Sequence, residues 1–306
     1  MPVFSKNISV LDHWTNAGSG SETQNEDVWG LADSQDNKIS IAYVIDGCTD
    51  VDIGASGNTY PDGMTNALWH AQRLAYHLQH GLNETIIFDP KRFIGDIVNC
   101  VREDYEGVPG LHFDVEDWAY PSSTLVALVV APEHNLMRRL WIGDCSCIIG
   151  KNRGPVSIDP PLVIKCREAA EDMMLGKING SALLKDNMEH HRVRRVENIR
   201  NGVSLSLFPD RLDKLNWSDA DLRASCHGDC RMVLLASDGL MRMVTHYGIL
   251  ETPGQMFDVV ENQGLPTVGK WLRSHEARHA QALGKLHSKT RDDATGLFLF
   301  PTPQLT

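Results

Sequence analysis

Long apolar runs are missing from this 306-residue sequence, and none approaches the roughly 20 residues that a membrane-spanning helix needs. The first residues also lack the charged-then-apolar pattern of a secretory signal peptide. The sequence has 29 Lys and Arg residues and 40 Asp and Glu residues, which gives a formal net charge of −11. The average electrostatic field of such a chain repels nucleic acid and anionic membranes. We therefore expect a soluble cytoplasmic protein that binds neither nucleic acid nor membrane.

Cysteine is sparse and odd in number. A chain long enough to bury a substantial core does not need disulfides to fold, so we expect the seven cysteines to be reduced thiols. The segment from Cys226 to Cys230 superficially suggests a zinc site, but a tetrahedral site would normally need a second ligand pair and none stands out. We favour the alternative, a turn that leads into a strand at residues 232–236.

Predicted strands come in runs instead of alternating regularly with helices, which argues against a doubly wound sheet. Apolar and β-branched runs predict strands at residues 39–45, 122–130, 140–149, 203–208, 232–236 and 296–300. Apolar residues at helical spacing predict one helix that stops near Gly81, another that begins at Asp89-Pro90, and a third over residues 268–286 with Trp271, Leu272 and Leu283 facing inward.

One long stretch, residues 166–200, is polar and rich in both charges, and either a helix or a mobile insertion fits it. At its end, two histidines and three arginines form a basic patch that we interpret as a solvated helix face: His190, His191, Arg192, Arg194 and Arg195.

Aspartates stand at the ends of four apolar runs, at positions 46, 144, 238 and 292. Asp-Gly is also a common turn dipeptide, so any one of these positions is weak evidence of a site. A buried strand fixes its last residue rigidly, however, and carboxylates gathered from several strand ends supply the hard oxygen ligands that Mg²⁺ or Mn²⁺ prefers. Their occurrence together indicates a metal site.

Six motifs occur in a fixed order with long separations: Asn25-Glu26-Asp27, Asp46-Gly47, Ser123-Thr124-Leu125, Gly143-Asp144-Cys145-Ser146, Ser237-Asp238-Gly239-Leu240 and Asp292-Asp293-Ala294-Thr295. From about Asn25 to Phe300, this order resembles the metal-dependent serine/threonine protein phosphatase family of type 2C. The resemblance implies an α+β fold, a four-layer α-β-β-α sandwich of two antiparallel sheets flanked by helices. It also implies a single domain over residues 1–306, with the polar stretch at about 166–200 as an insertion.

The activity implied by the resemblance is hydrolysis of phosphoserine and phosphothreonine in phosphoprotein substrates, with two Mn²⁺ or Mg²⁺ ions as cofactors and Asp46 and Asp238 as catalytic residues. Asp46 would bridge the ions, and Asp144 either helps to hold a weaker third ion or is a turn residue that hydrogen-bonds its own backbone. The metal ligands implied by the resemblance are Glu26, Asp27, Asp46, Gly47 (through its carbonyl), Asp144, Asp238 and Asp292.

Two positions depart from the family pattern. Glu22 stands where relatives place an arginine that holds the substrate phosphate, and no Lys or Arg occurs between Lys6 and Lys38 to replace it. Cys48 stands where animal members often carry a histidine, and it is either a proton donor, a thiolate ligand, an oxidation-sensitive switch or a small packing residue. These departures keep two alternatives open: a catalytically weak member that acts as a binding or regulatory module, and a hydrolase of small phosphoesters.

Two hydroxyl residues near the expected site, Ser123 and Thr124, are interpreted as strand-packing residues, because no serine-histidine-acid set accompanies them.

Overall fold

The computed structural model describes residues 5–18, 25–48, 60–113, 115–151, 156–157, 192–193, 195–207, 217–222, 232–286 and 292–301. The strands are β1 (Ile8–Asn16), β2 (Val28–Asp33), β3 (Ser40–Gly47), β4 (Ser122–Ala131), β5 (Leu136–Ile142), β6 (Ser146–Gly150), β7 (Val156–Ser157), β8 (Leu205–Ser206), β9 (Trp217–Asp221), β10 (Met232–Ala236) and β11 (Ala294–Pro301). The helices are α1 (Asn66–His80), α2 (Thr85–Phe88), α3 (Pro90–Gly107), α4 (Asp238–Thr245), α5 (Pro253–Gln263) and α6 (Leu265–Leu286).

The strands form two antiparallel sheets. Sheet I has the order β2-β3-β4-β5-β9, with β8 beside β4, and sheet II has the order β1-β11-β10-β6-β7. The predicted α+β sandwich of two antiparallel sheets flanked by helices is therefore confirmed.

Side-chain alternation along the strands explains the layers, because successive residues of a strand point to opposite faces of a sheet. In β3, Tyr43 and Ile45 pack in a core with α1 and α3, whereas Val44 packs against sheet II. In β10, Leu235 belongs to that inter-sheet core and Leu234 packs with helices α4 to α6. The layer order is therefore helices, sheet I, sheet II, helices.

The helix start predicted at Asp89-Pro90 is present in the structure. The Asp89 side chain accepts a hydrogen bond from Arg92 N at 3.0 Å, with Pro90 as the first helical residue, as predicted. Leu272 is buried as expected, but Trp271 is 38% exposed, so its predicted inward orientation is wrong.

The predicted strand over residues 140–149 is wrong as a single element. Residues 140–142 are the last residues of β5 in sheet I, and residues 146–149 belong to β6 in sheet II. Gly143 makes the break with a φ of +98°, a conformation that glycine adopts without a steric penalty. The chain thus passes from one sheet to the other at Asp144. The predicted strand at 203–208 is shorter in the structure, where only Leu205–Ser206 pairs, with β4.

The polar stretch at 166–200 is described only at 192–193 and 195–200, and these residues are helical. Cys48, Cys100, Cys145 and Cys147 are free thiols, as predicted, whereas Cys226 and Cys230 lie outside the described residues. In the described part of the chain, every helix is too short or too polar to cross a membrane.

Candidate active site

Antiparallel pairing brings the predicted acidic positions to one edge of the sandwich. Asp46 is the second-last residue of β3, and it lies opposite Thr124 near the start of the partner strand β4. Asp27 directly precedes β2, where Val28 lies opposite Ile45. Because neighbouring strands run in opposite directions, an edge collects the end of one strand and the start of the next.

The same arrangement holds in sheet II. Ala236 at the end of β10 lies opposite Gly296 of β11 and Ser146 of β6. Asp238 follows β10, whereas Asp292 and Asp144 precede the starts of β11 and β6. The prediction that Asp292 ends an apolar run is therefore wrong, because Asp292 reaches the edge from the start of β11.

Hydrogen bonds from backbone amides to Asp293 fasten the acidic segments together. Its two carboxylate oxygens accept hydrogen bonds from Gly18 N and from Glu26 N, each at 2.7 Å. Glu26 is buried, and its carbonyl accepts a hydrogen bond from Gly47 N at 3.2 Å. Asp293 therefore links the start of β11 to the loop before β2, and Gly47 links that loop to β3.

Asp27 has the least favourable environment of these acids. It is 6% exposed, and neither of its carboxylate oxygens has a hydrogen-bond partner in the part of the chain that the structure describes. Burial raises the pKa of Asp27 well above its usual range, the nearby Ser237 hydroxyl partly offsets this, and the charges of Asp293, Asp238 and Asp292 raise the pKa further.

Asp46 is subject to the same forces. Burial raises its pKa well above the usual range, and the charges of Asp27, Asp238 and Asp144 add to the effect. The carboxylates at this edge therefore repel one another, and a divalent cation would relieve that repulsion. The oxygen donors, and the Asp27 carboxylate that has no partner within the described ranges, fit Mg²⁺ or Mn²⁺.

A basic residue that the sequence did not suggest lies among these acids. Arg242, on α4, has its Nη2 atom 2.9 Å from Asp292 Oδ2. Within the described ranges, no three His, Cys, Asp or Glu side chains form a close group of the kind that encloses a metal ion. The acidic positions therefore share an edge without forming a ready-made cage.

Two glycines permit close approaches at this edge. A Cβ at Gly239 would collide with the carbonyl of Asp293, so the start of α4 can lie against the β11 segment only with glycine there. A Cβ at Gly143 would collide with the Thr124 side chain, beside the turn that carries Asp144. Asp144 itself is partly exposed and lies close enough to Asp46 to repel it.

Arg195 is a second functional candidate that sequence reasoning missed. We interpreted its basic patch as a solvated helix face, but Arg195 is 6% exposed, so the prediction is wrong for this residue. Its guanidinium donates hydrogen bonds to the carbonyls of Cys48 and Tyr120, each at 2.9 Å. Arg195 thereby holds the backbone that follows Asp46 and Gly47.

The Cys48 thiol lies near Arg195. Burial raises its pKa to about 11, although the Arg195 charge acts in the opposite direction. In the metal-free protein this pKa favours the protonated thiol at neutral pH.

A buried histidine contacts one of the two hydroxyl residues. His70 Nδ1 lies 2.9 Å from Ser123 Oγ, and burial, with a smaller contribution from Arg195, lowers the pKa of His70 to about 3. Its Nε2 atom has no hydrogen-bond partner among the described residues, so no acid completes a serine-histidine-acid set there. Glu22 lies outside the described residues.

Solved structures with the same fold include serine/threonine phosphatases. The chain is 15% identical to Stp1 from Staphylococcus aureus, with 97% of each chain covered and a TM-score of 0.53. It is 13% identical to PstP/Ppp from Mycobacterium tuberculosis, with 97% of this chain and 99% of that chain covered and a TM-score of 0.52. The S. agalactiae serine/threonine phosphatase gives a TM-score of 0.51 at 12% identity, over 96% and 99% of the two chains. No protein-family model and no curated protein matches the chain.

The resemblance to the type 2C phosphatases is thus confirmed for the fold over nearly the whole chain.

Proposed function

We propose that this protein is a metal-dependent phosphatase that hydrolyses phosphoserine and phosphothreonine in proteins. The observation that carries the proposal is the buried carboxylate of Asp27, which has no hydrogen-bond partner among the described residues. It lies near Asp46, Asp238 and Asp292, at the sheet edge of a fold shared with serine/threonine phosphatases. Buried carboxylates that repel one another destabilise the folded protein. Their presence therefore points to a bound cation or another function.

The motif order assigns these residues to two ions and a weaker third. Asp46 would be shared by the two ions, with the Gly47 carbonyl as a further ligand, and Asp238 and Asp292 would be the remaining carboxylates on one of them. Glu26 and Asp27 would hold the second ion, and Asp144 would contribute to a weaker third. Divalent cations, when bound, supply an activated water nucleophile at neutral pH and neutralise charge on the phosphoryl oxygens.

The chain's own contribution is to fix these groups before substrate arrives. Asp293 holds the Glu26 backbone, and Arg195 holds the Cys48 carbonyl directly after Gly47. Ser237 Oγ accepts a hydrogen bond from Thr295 N at 2.9 Å, which joins the segment before Asp238 to β11. Because these groups are already positioned in the folded protein, less entropy is lost when the reacting groups come together.

The direct test measures hydrolysis of a chromogenic phosphate ester and of a phosphoserine and phosphothreonine peptide panel, with Mn²⁺ and with a chelator. We expect turnover that requires Mn²⁺ or Mg²⁺ and a rate lower by on the order of 10²-fold in Asp46→Asn. Asp258→Asn, an exposed carboxylate on α5, is the matched control and should leave the rate unchanged.

The alternatives predict different results. Hydrolysis of the small ester without the peptides would identify a small-molecule phosphoesterase. Peptide binding without hydrolysis of any substrate would identify a binding or regulatory module. Near-normal turnover without metal would contradict the proposal itself. The cytoplasmic location and the single domain expected from the sequence stay predictions.

A further inference from the structure

Arg242 sits among the carboxylates because of its position on α4. The helix begins at Asp238, and residues four apart in a helix lie on the same face one turn apart. The Arg242 guanidinium is therefore directed along the helix toward Asp238 and, across a short gap, toward Asp292, with 2.9 Å between Nη2 and Oδ2.

This ion pair differs from those on the surface. The Arg242 and Asp292 side chains are 12% and 21% exposed, whereas the pair Arg92–Asp96 joins side chains that are 74% and 64% exposed at 4.0 Å. Screening by water is weaker in the partly buried pair, so its charge acts more strongly on nearby groups. The Tyr247 side chain also lies near the guanidinium.

Two observations connect the pair to metal binding. Asp238 and Asp292, the two carboxylates attracted to Arg242, are the ones assigned to the same ion under the proposed function. In addition, the acidic side chains of the described residues do not converge into a close metal-binding group, and Asp292 is directed toward a cation that the chain itself supplies.

We propose that Arg242 is a built-in counter-ion of the acidic edge, which competes with a divalent cation for Asp238 and Asp292. The proposal rests on the proposed function for the identity of the metal ligands. A cation that binds there shares the two carboxylates with the guanidinium or displaces it from Asp292. Like charges in one site repel, so the chain binds the ion at this position more weakly than the same carboxylates would without Arg242.

The test compares Arg242→Gln, which removes the charge, with Arg242→Lys, which keeps it. Calorimetric titration with Mn²⁺ should give a dissociation constant about tenfold or more lower for Arg242→Gln than for the unaltered protein, and a nearly unchanged constant for Arg242→Lys. Arg92→Gln removes an equal charge from the exposed pair on α3, and it should leave the constant unchanged.

Thermal unfolding gives a second readout that does not depend on activity. In chelator, Arg242→Gln should unfold at a lower temperature because the acidic edge loses its counter-ion, and Mn²⁺ should raise its unfolding temperature by more than it raises that of the unaltered protein. If the variant folds only with Mn²⁺, its affinity is measured by competition with a chelator of known affinity. An unchanged or weaker Mn²⁺ affinity in Arg242→Gln overturns the inference.

The two proposals fail in different ways. Tighter Mn²⁺ binding by Arg242→Gln without any phosphoester hydrolysis supports the counter-ion and contradicts the phosphatase. Metal-dependent hydrolysis with the same Mn²⁺ affinity in both proteins contradicts the counter-ion and supports the phosphatase. Absence of Mn²⁺ binding in both proteins contradicts the two proposals together.

Discussion

Replacing Asp27 with Asn should stabilise the protein when metal is absent. The Asp27 carboxylate is 6% exposed and its oxygens have no hydrogen-bond partner in the described part of the chain. An unpartnered buried polar group costs about 1–3 kcal/mol, and the neighbouring charges of Asp293, Asp238 and Asp292 increase the cost. The neutral amide removes this repulsion and can donate to those carboxylates, so we expect the free energy of unfolding to rise by about 1–3 kcal/mol.

The pH dependence has a definite sign. Folding raises the pKa of Asp27, so the folded state holds this proton more tightly than the unfolded state. The resulting stability is fully present below the unfolded value of about 3.9 and is lost as the pH rises through the higher folded pKa. The unaltered protein in chelator should therefore lose stability as the pH rises above about 4, and Asp27→Asn should flatten that decline.

Urea unfolding in chelator, repeated across this pH range and with saturating Mn²⁺, measures both effects. Bound metal should reverse the order, because it stabilises the protein that holds it more strongly. Asp258→Asn, on the exposed face of α5, is the control and should change neither stability nor its pH dependence. A metal-free Asp27→Asn protein that is less stable than the unaltered protein would refute the reasoning.

Three further substitutions test separate parts of the site. If Asp144 holds a weak third ion, Asp144→Asn should raise the Mn²⁺ concentration for half-maximal rate and leave the melting temperature unchanged. If Asp144 is a turn residue, the substitution should lower only the melting temperature. Arg195→Met should leave the Cys48 and Tyr120 carbonyls without their donor. Urea denaturation should then give a free energy of unfolding lower by about 2–4 kcal/mol. A change under about 0.5 kcal/mol would contradict the role of Arg195 in holding these carbonyls. Glu22→Arg should lower the Michaelis constant for a small phosphate ester, with a smaller gain at high ionic strength, and an unchanged constant would show that Glu22 does not face the phosphate.

Strands with continuous apolar character were predictable from the sequence, and those with mixed character were not. Residues 232–236 form β10 as predicted, because both faces of that strand are covered and every position is apolar. Strand β1 carries His13 and Thr15 at exposed positions and Asp12 at a partly exposed one, so its apolar signal is weak. A second limit of prediction from the sequence is that β5 and β6 read as one strand, because apolar composition does not mark the turn at Gly143.

Helix α5 carried a usable signal that was missed. Thr252 accepts a hydrogen bond from Gln255 N at 3.1 Å, Pro253 is the first helical residue, and Met256, Phe257 and Val260 form the buried face. That combination of cap, proline and spacing is typical of a helix start.

The acidic residues of the candidate site could be picked out because their order along the chain is distinctive, and the structure places them at one edge. Arg242 and Arg195 could not, since their roles depend on groups distant in sequence. Arg242 meets Asp292 only after β10 and β11 pair, and Arg195 is buried only because it reaches the carbonyls of Cys48 and Tyr120. Local charge patterns describe both arginines as ordinary helix residues.

The position of β11 between β1 and β10 also determines when the molecule can be assembled on the ribosome. About 65 residues separate the end of β10 from the end of β11, which corresponds to roughly 3–13 s of synthesis at about 5–20 residues per second. During this interval sheet I can pair, whereas β1 and β10 lack the strand that joins them, and the inner apolar face of sheet I is without much of its cover. Asp292 emerges just before β11, so the acidic edge is completed at the end of this interval. The nascent chain is therefore most exposed to aggregation, and to capture by chaperones, in the seconds before β11 joins sheet II and completes the acidic edge.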